Sequence, residues 1–254
     1  MSDSKKRIKN PSSNKKLDKK VKAEEFFSRA YYSVNLVEKI KFYSAAINFN
    51  CNYIDAYFNR GSAYKDLKDY DLAIRDFTKV IELNSNDEDA YNNRAVTYYA
   101  KEEYSKAIQD YNKLLKLNTL NANAYFNRGL TYRKLNMSEK ALDDFSTAIE
   151  LNPKDWEAYY NRGIIHYMNR NYEKAIYDYS KTIIINDTYE NAYNNRGVVF
   201  YAMQEYEKAI DDYVKVIKLN PHNRDVYCNI ALICKEKSKI KGFKNYTEDP
   251  KLVL

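Results

Sequence analysis

The sequence predicts an all-α fold in which pairs of helices stack on one another. One observation is a dipeptide, Asn-Arg, that recurs every 34 residues along most of the chain. Another is the helical spacing of apolar and small residues between these dipeptides. The composition agrees, because 5 Gly and 4 Pro among 254 residues are too few for a β fold rich in turns, and 27 Tyr are too many for a disordered chain.

The dipeptide sets the boundaries of the repeats. It begins at Asn59, Asn93, Asn127, Asn161 and Asn195, and a sixth Asn, Asn229, keeps the spacing with Ile230 in place of Arg. The predicted repeats are 54–87, 88–121, 122–155, 156–189 and 190–223, preceded by a degenerate repeat at 20–53 and followed by a capping helix at 224–241. Stacking is expected because one helix pair cannot bury both of its faces.

Each repeat is predicted to form two helices. In the second repeat, Gly61 lies four residues after Tyr57 on one helical face, and Phe77 lies four residues after Ala73 on another. Because Gly weakens a helix by roughly 0.5–1 kcal/mol relative to Ala, Gly61 predicts close contact between the two helices. The second helix ends at Asn84, and Asn recurs at this end of later repeats, where we expect it to adopt the left-handed backbone conformation.

This pattern resembles the tetratricopeptide repeat, in which Trp, Leu-Gly, Tyr, Ala, an aromatic residue and Pro recur with a period of about 34 residues. The repeat at 122–155 supplies Tyr125, Gly129, Tyr132, Ala141, Phe145 and Pro153 at these places. The departures are Tyr in place of Trp and a Pro at the helix end only at Pro153 and Pro221. The resemblance covers residues 20–241 and implies a right-handed α-solenoid of stacked antiparallel helix pairs. It also implies a concave groove lined by the first helix of each pair.

The positive charge of the chain is concentrated at its N-terminus. Residues 1–22 hold nine Lys or Arg and two Asp, which accounts for the whole formal net charge of +7. With few aliphatic residues, the segment 1–19 is predicted to be a disordered basic tail, and 242–254 a C-terminal tail. A basic arm of this kind either contacts nucleic acid or an anionic membrane weakly, at about 1 kcal/mol per cation near the surface, or only keeps the protein in solution.

Several functional classes are disfavoured by what the sequence lacks. No apolar run reaches about 18 residues and no apolar segment follows the first charges, so we expect neither a membrane span nor a secretion signal. Three scattered Cys favour a reducing compartment, which predicts a cytoplasmic protein. No phosphate-binding loop, nucleophile elbow or metal-ligand cluster occurs, so we expect no enzyme, no cofactor and no metal site. His166, in a column of aromatic residues, is interpreted as a packed core residue.

The Arg of each dipeptide is followed by an Asp 16 residues later. The pairs are Arg60 and Asp76, Arg94 and Asp110, Arg128 and Asp144, Arg162 and Asp178, and Arg196 and Asp212. The first repeat has Phe26 and Phe42 at these two places, so the Arg and the Asp are present or absent together. We predict an ion pair between the two helices of each repeat, because a lone buried charge is far less favourable than a paired one. The alternative is a row of anion-binding sites.

The column of Asn residues is the strongest functional signal. A side-chain amide both donates and accepts hydrogen bonds, which suits the backbone of an extended peptide. The column faces away from the partner helix and consists of Asn59, Asn93, Asn127, Asn161, Asn195 and Asn229. The rival interpretation is a structural ladder of hydrogen bonds between neighbouring helices. Aromatic residues expected on the same face are Phe58, Phe126 and Tyr160, together with Tyr99, Tyr167 and Tyr201.

The predicted function is a non-enzymatic protein–protein interaction scaffold that binds an extended peptide or a partner helix in its groove. The clamp that some members of the family use for a carboxylate-ended tail needs Lys and Asn where this chain has Phe58 and Ser62, which argues against that ligand. The alternative function is an adaptor tethered to nucleic acid or an anionic membrane surface through its basic N-terminal tail. The partner and the oligomeric state are left open.

Overall fold

The computed structural model describes the backbone of residues 11–239 and the side chains of residues 17–236. In this range the chain forms thirteen helices and no strand. The helices are α1 (Pro11–Tyr32), α2 (Leu36–Phe49), α3 (Ile54–Asp66), α4 (Tyr70–Leu83), α5 (Glu88–Ala100), α6 (Tyr104–Leu117), α7 (Ala122–Lys134), α8 (Ser138–Leu151), α9 (Trp156–Met168), α10 (Tyr172–Ile185), α11 (Glu190–Ala202), α12 (Tyr206–Leu219) and α13 (Arg224–Lys239). None of these thirteen helices combines the length and the apolar character needed to cross a bilayer.

The helices are grouped into two compact blocks. The N-terminal block, within residues 1–120, contains α1 to α6, and the C-terminal block, within residues 121–254, contains α7 to α13. In each block the two helices of a repeat pack against each other, and the second helix of one repeat packs against the first helix of the next. The predicted all-α fold of stacked helix pairs is therefore confirmed in both blocks.

Small residues on the first helix allow rings of the second helix to lie against its backbone. A Cβ atom at Gly61 would come 3.0 Å from Cε1 of Phe77, and one at Gly197 would come 2.7 Å from Cε1 of Tyr213. Phe77 and Tyr213 are both buried. The predicted close contact between paired helices is confirmed, because a larger side chain at either glycine would force its neighbour to move.

The turn between the helices of a repeat contains one residue in the left-handed conformation. In the second repeat this residue is Lys68, with φ 65°, and the amide of Asp69 donates to the carbonyl of Tyr64 at 2.9 Å, as in a Schellman motif. The equivalent residues in later repeats are Glu102, Asn136, Arg170 and Gln204. None of the five is Gly and only Asn136 is a residue that readily adopts this conformation, so the usual compositional signal is missing from the other four turns.

The end of the second helix differs from the prediction. Asn84 has an extended backbone with φ −142° and ψ 94°, so the expected left-handed conformation is wrong. Its side-chain oxygen accepts a hydrogen bond from the amide of Asn86 at 3.2 Å, which starts the loop to the next repeat. Equivalent bonds are accepted by Asn50, Asn118, Asn152, Asn186 and Asn220. Asn is favoured at this place because its side chain completes a turn with the backbone two residues on.

Helix α1 begins earlier than the repeat pattern predicts. Its first residue is Pro11, so a helix occupies much of the segment for which the composition predicts a disordered tail. Lys22 pairs with Asp18 at 3.3 Å, and such pairs, together with Pro in the first helical position, favour a helix. Residues 1–10 lie outside the described residues, as does 240–254, which contains the predicted C-terminal tail.

Candidate functional site

The asparagine face is the side of the first helices that carries the Asn column. In the N-terminal block it contains Asn59 on α3 and Asn93 on α5. In the C-terminal block it contains Asn127 on α7, Asn161 on α9, Asn195 on α11 and Asn229 on α13. All six residues are half-buried, so each amide is supported by the fold and keeps part of its surface in solvent.

Three of these amides are anchored to their own helix. The Nδ2 group donates to the carbonyl oxygen four residues earlier, from Asn59 to Asp55 at 2.7 Å, from Asn93 to Asp89 at 2.9 Å, and from Asn161 to Glu157 at 2.8 Å. For Asn59 and Asn161, the Oδ1 atom accepts no hydrogen bond from any residue that the structure describes. These two side chains therefore present a fixed acceptor to the face.

Two of the amides bond to a neighbouring repeat, as the structural interpretation expects. In the N-terminal block, Lys65 Nζ donates to Asn93 Oδ1 at 2.8 Å. In the C-terminal block, Asn195 Nδ2 donates to the hydroxyl of Tyr160 at 3.1 Å. The column is consequently not a uniform ladder, because some members join repeats and others leave an acceptor open.

The first set of predicted aromatic residues contributes to the core. Phe58 packs on Phe77 with ring centroids 5.7 Å apart, Phe126 packs on Phe145 at 5.8 Å, and Tyr160 packs on Tyr179 at 5.9 Å. Each contact joins the two helices of one repeat. The three rings on the first helices are half-buried, so only part of each ring is open to a ligand.

Tyr160 lies at the centre of an aromatic cluster in the C-terminal block. Its ring meets Tyr189 edge-on at 5.0 Å, and Tyr189 in turn lies 4.5 Å from Trp156. Burial, followed by the influence of Tyr189, raises the pKa of Tyr160 to about 12. The phenol therefore stays protonated near neutral pH and is able to donate a hydrogen bond.

The second set of predicted aromatic residues packs against tyrosines at the start of the following helix. The pairs are Tyr99 with Tyr104 at 5.4 Å, Tyr167 with Tyr172 at 6.1 Å, and Tyr201 with Tyr206 at 5.8 Å. The three predicted residues are again half-buried. Their partners were not singled out from the sequence, although a Tyr five residues later in three repeats is a signal that could have found them.

The arginines of the dipeptide are paired as predicted. Arg162 donates from Nε and Nη2 to the two oxygens of Asp178, at 2.9 and 2.8 Å. The same two-bond pairing holds Arg60, Arg94, Arg128 and Arg196. Burial disfavours the charge of Arg162, but Asp178 more than compensates and raises the pKa of the guanidinium. These arginines stabilise the fold, so the alternative of a row of anion sites is not supported for this column.

His166 is packed inside the C-terminal block, as interpreted from the sequence. Its side chain is 12% exposed, and Nε2 lies 3.9 Å from an oxygen of Asp178. Its Nδ1 atom is buried and has no hydrogen-bond partner among the described residues. Burial lowers the pKa of His166 below its ordinary value, which favours the neutral imidazole.

Three further buried polar atoms on the first helices have no hydrogen-bond partner within the described part of the chain. They are Oδ1 of Asn92, Oδ1 of Asn194 and Nε of Arg133. The two asparagines occupy the repeat position that Phe58 and Tyr160 fill in other repeats. Arg133, on α7, is the only charged side chain of the three.

Sequence models of the tetratricopeptide repeat match four of the predicted repeats, at 54–87, 122–155, 156–189 and 190–223. Two related models of the same repeat match residues 96–136 and 77–109. The first model alone covers more than half of the chain. The chain belongs to the tetratricopeptide repeat family. No curated protein matches the sequence significantly.

Several solved structures resemble this tetratricopeptide repeat protein. The crystal structure of MamA is 27% identical over 63% of this chain and 94% of its own, with a TM-score of 0.61. YrrB, "a TPR protein with an unusual peptide-binding site", is 24% identical over 76% of this chain and 97% of its own, with a TM-score of 0.62. A tetratricopeptide repeat protein from Parabacteroides merdae is 22% identical over 89% of this chain and 96% of its own, with a TM-score of 0.67.

A column of hydroxyl side chains, interrupted by Asn112, completes four of the five arginine pairs of this tetratricopeptide repeat protein, and sequence reasoning missed it. The Nη1 group of Arg162 donates to Ser146 Oγ of the preceding repeat at 3.1 Å. Equivalent bonds join Arg60 to Ser44 at 3.0 Å, Arg94 to Thr78 at 2.9 Å, and Arg196 to Ser180 at 2.8 Å. The column ends at Val214, where the next repeat has Ile230 in place of Arg, and both residues belong to one apolar cluster. This joint replacement is the signal in the sequence that could have revealed the column.

Proposed function

We propose that this protein is a non-enzymatic scaffold that binds an extended peptide or a partner helix on its asparagine face. The observation that carries the proposal is the state of Asn161. Its Nδ2 is bonded to the carbonyl of Glu157 at 2.8 Å, while its Oδ1 accepts nothing from the described residues. A side chain that is already fixed loses little conformational entropy when a peptide N–H donates to it.

The surroundings of this amide support a peptide ligand. Tyr167 and Tyr201 are half-buried on the neighbouring turns of the first helices, and Ile164 and Val198 add half-buried apolar surface. Aromatic and apolar side chains beside a few placed polar groups are typical of protein interfaces. The peptide-binding site for which the similar structure of YrrB is described supports the same use of the fold.

The family supports a scaffold rather than an enzyme, because tetratricopeptide repeat proteins are typically non-enzymatic and bind protein partners. We also propose a cytoplasmic location, because three scattered cysteines, Cys51, Cys228 and Cys234, favour a reducing compartment.

Removing two amides from the C-terminal block tests the proposal. The probe is an immobilised library of decapeptides with acetylated N-termini and amidated C-termini, and the variant is Asn127→Ala with Asn161→Ala. The library is divided into pools, and we expect the affinity of the protein for the pools that retain it best to fall about thirtyfold. The reason is that two hydrogen bonds of about 1 kcal/mol each are lost. The melting temperature should remain nearly constant, since Ala is a better helix former than Asn.

The matched control is Gln109→Ala, which removes an amide from an exposed position on α6. It should leave both retention and melting temperature unchanged. Parallel loss of stability and binding in the double variant would instead support the structural ladder. If no immobilised peptide pool retained the wild-type protein, binding of an extended peptide would be rejected.

A further inference from the structure

Arg133 differs from the other half-buried arginines of the described chain. The others are the five arginines of the dipeptide, and each is held by an Asp of its own repeat. Arg133 forms no ion pair with any described residue, and its Nε atom is buried without a hydrogen-bond partner. A buried N–H group without a hydrogen-bond partner is unfavourable, because it has lost its contact with water and gained nothing in return.

The repeat register places Arg133 on the asparagine face. Lys65 and Asn93 occupy the equivalent positions two repeats earlier, and there the lysine donates to the asparagine Oδ1 at 2.8 Å. Arg133 stands in the same relation to Asn161, but no bond joins the two side chains, and the Asn161 oxygen stays open. Burial raises the pKa of Tyr160, and the positive charge of Arg133 partly opposes this rise. The charge of Arg133 therefore acts on Tyr160 within the C-terminal block.

Among the described residues of the block, no carboxylate pairs with this charge. Glu157 lies one turn before Asn161 on α9. Its side chain is exposed and forms no ion pair with a residue that the structure describes. The asparagine face of the C-terminal block thus combines an unpaired guanidinium, an open amide oxygen and a phenol.

We infer that Arg133 binds the side-chain carboxylate of an Asp or Glu in the extended peptide, beside Asn161 and Tyr160. This inference rests on the proposed function and specifies the chemistry of the ligand. The planar guanidinium presents a fork of N–H donors that matches the two oxygens of a carboxylate. The Asn161 oxygen is left to accept a hydrogen bond from the peptide backbone. Arg133 therefore selects the acidic residue, and Asn161 holds the backbone of the peptide.

The test uses the same blocked decapeptides, arranged as positional pools in which one place is fixed as Glu, Gln or Lys. Terminal blocking removes the chain-end carboxylate, so only side chains supply negative charge. We expect the wild-type protein to prefer Glu over Gln about tenfold at one place, with Lys disfavoured. Arg133→Gln should abolish this preference, and 1 M salt should weaken it in the wild type.

The control is Arg75→Gln, which removes the same charge from an exposed position on α4 and should keep the preference. Arg133→Gln should melt at the wild-type temperature or above, because it removes an unpaired, partly buried charge; a clear fall would assign Arg133 to the fold and overturn the inference. The inference would also be overturned if the pools retained the protein without a preference for Glu, or if the preference survived Arg133→Gln. Either result would leave the scaffold proposal intact. If no pool retains the wild-type protein, both proposals fail together.

Discussion

Arg162 illustrates how this protein keeps a charge inside a helical repeat. Its side chain is only 17% exposed, and that of its partner Asp178 is 1% exposed. The two-bond pair with Asp178 and the third bond to Ser146 together satisfy three N–H groups of the guanidinium. The third bond also links adjacent repeats, so one residue supports both the helix pair and the stack.

This arrangement predicts the stability of three variants. Arg162→Leu should lower the free energy of unfolding by about 3–5 kcal/mol, because it leaves Asp178 buried without a partner. Adding Asp178→Leu should recover part of that loss, whereas Ser146→Ala alone should cost about 1 kcal/mol. Urea unfolding followed by circular dichroism measures all three. A double variant no more stable than Arg162→Leu would contradict the pairing.

His166 makes stability depend on pH. Because its pKa is lowered by burial, the folded protein binds the proton less tightly than the unfolded chain. Its contribution is intact above the ordinary histidine pKa of about 6.5 and is lost as the pH falls from there through the folded-state pKa. His166→Phe, which copies Phe200 of the next repeat, should reduce the drop in melting temperature between pH 7.5 and 5.5.

The control for this pH dependence is His222→Gln, since His222 is exposed in the loop before α13 and should not alter the drop. An identical drop in the His166→Phe variant and the wild type would show that another group is responsible.

At the scale of the helices, the turns are a source of strain that substitution can relieve. Lys68 holds a left-handed backbone, which costs a residue with a side chain about 1–2 kcal/mol relative to Gly. Lys68→Gly should therefore raise the free energy of unfolding by about 1 kcal/mol after the greater freedom of Gly in the unfolded chain is counted. Asn136→Gly should gain less, because Asn tolerates this conformation. Thermal unfolding of both variants tests the ranking, and destabilisation by Lys68→Gly would contradict it.

The helices could be predicted because their apolar residues recur with helical spacing, but their ends could not all be explained from sequence. Asn84 was recognised as a stop signal, yet it acts through its side-chain oxygen rather than a left-handed backbone. The left-handed turn residues could not be predicted, because Lys68, Glu102, Arg170 and Gln204 are not residue types that favour this conformation and only Asn136 is. Local sequence thus indicates where a helix ends more readily than how.

The candidate site, too, could be predicted only in part from the sequence. Asn161 could be placed on the outer side of its helix from residue spacing alone, and it is half-buried there. Phe126 lies one residue before the Asn column, at the boundary between the face and the core, and its packing on Phe145 could be assigned only from the structure. Arg133 could not be singled out, because the absence of a partner is a property of three-dimensional packing rather than of sequence.

In the whole molecule, the net positive charge and the proposed binding surface lie in different parts of the chain. The formal net charge of +7 belongs to residues 1–22, and the remaining residues are balanced. The proposed binding therefore relies on amides, rings and one guanidinium without an ion pair among the described residues, rather than on bulk charge. Contact of the basic tail with nucleic acid or an anionic membrane stays a prediction, and deleting that tail should leave peptide binding on the asparagine face unaffected.

Solution NMR tests whether a peptide lies along the asparagine face. Protein labelled with ¹⁵N is titrated with the best-retained decapeptide while the side-chain amide signals are followed. We expect the side-chain amide signals of Asn127, Asn161 and Asn195 to shift, whereas those of Asn152 and Asn186, in the loops after the second helices, stay in place. Shifts confined to the loop amides, with the asparagine face unchanged, would contradict this expectation.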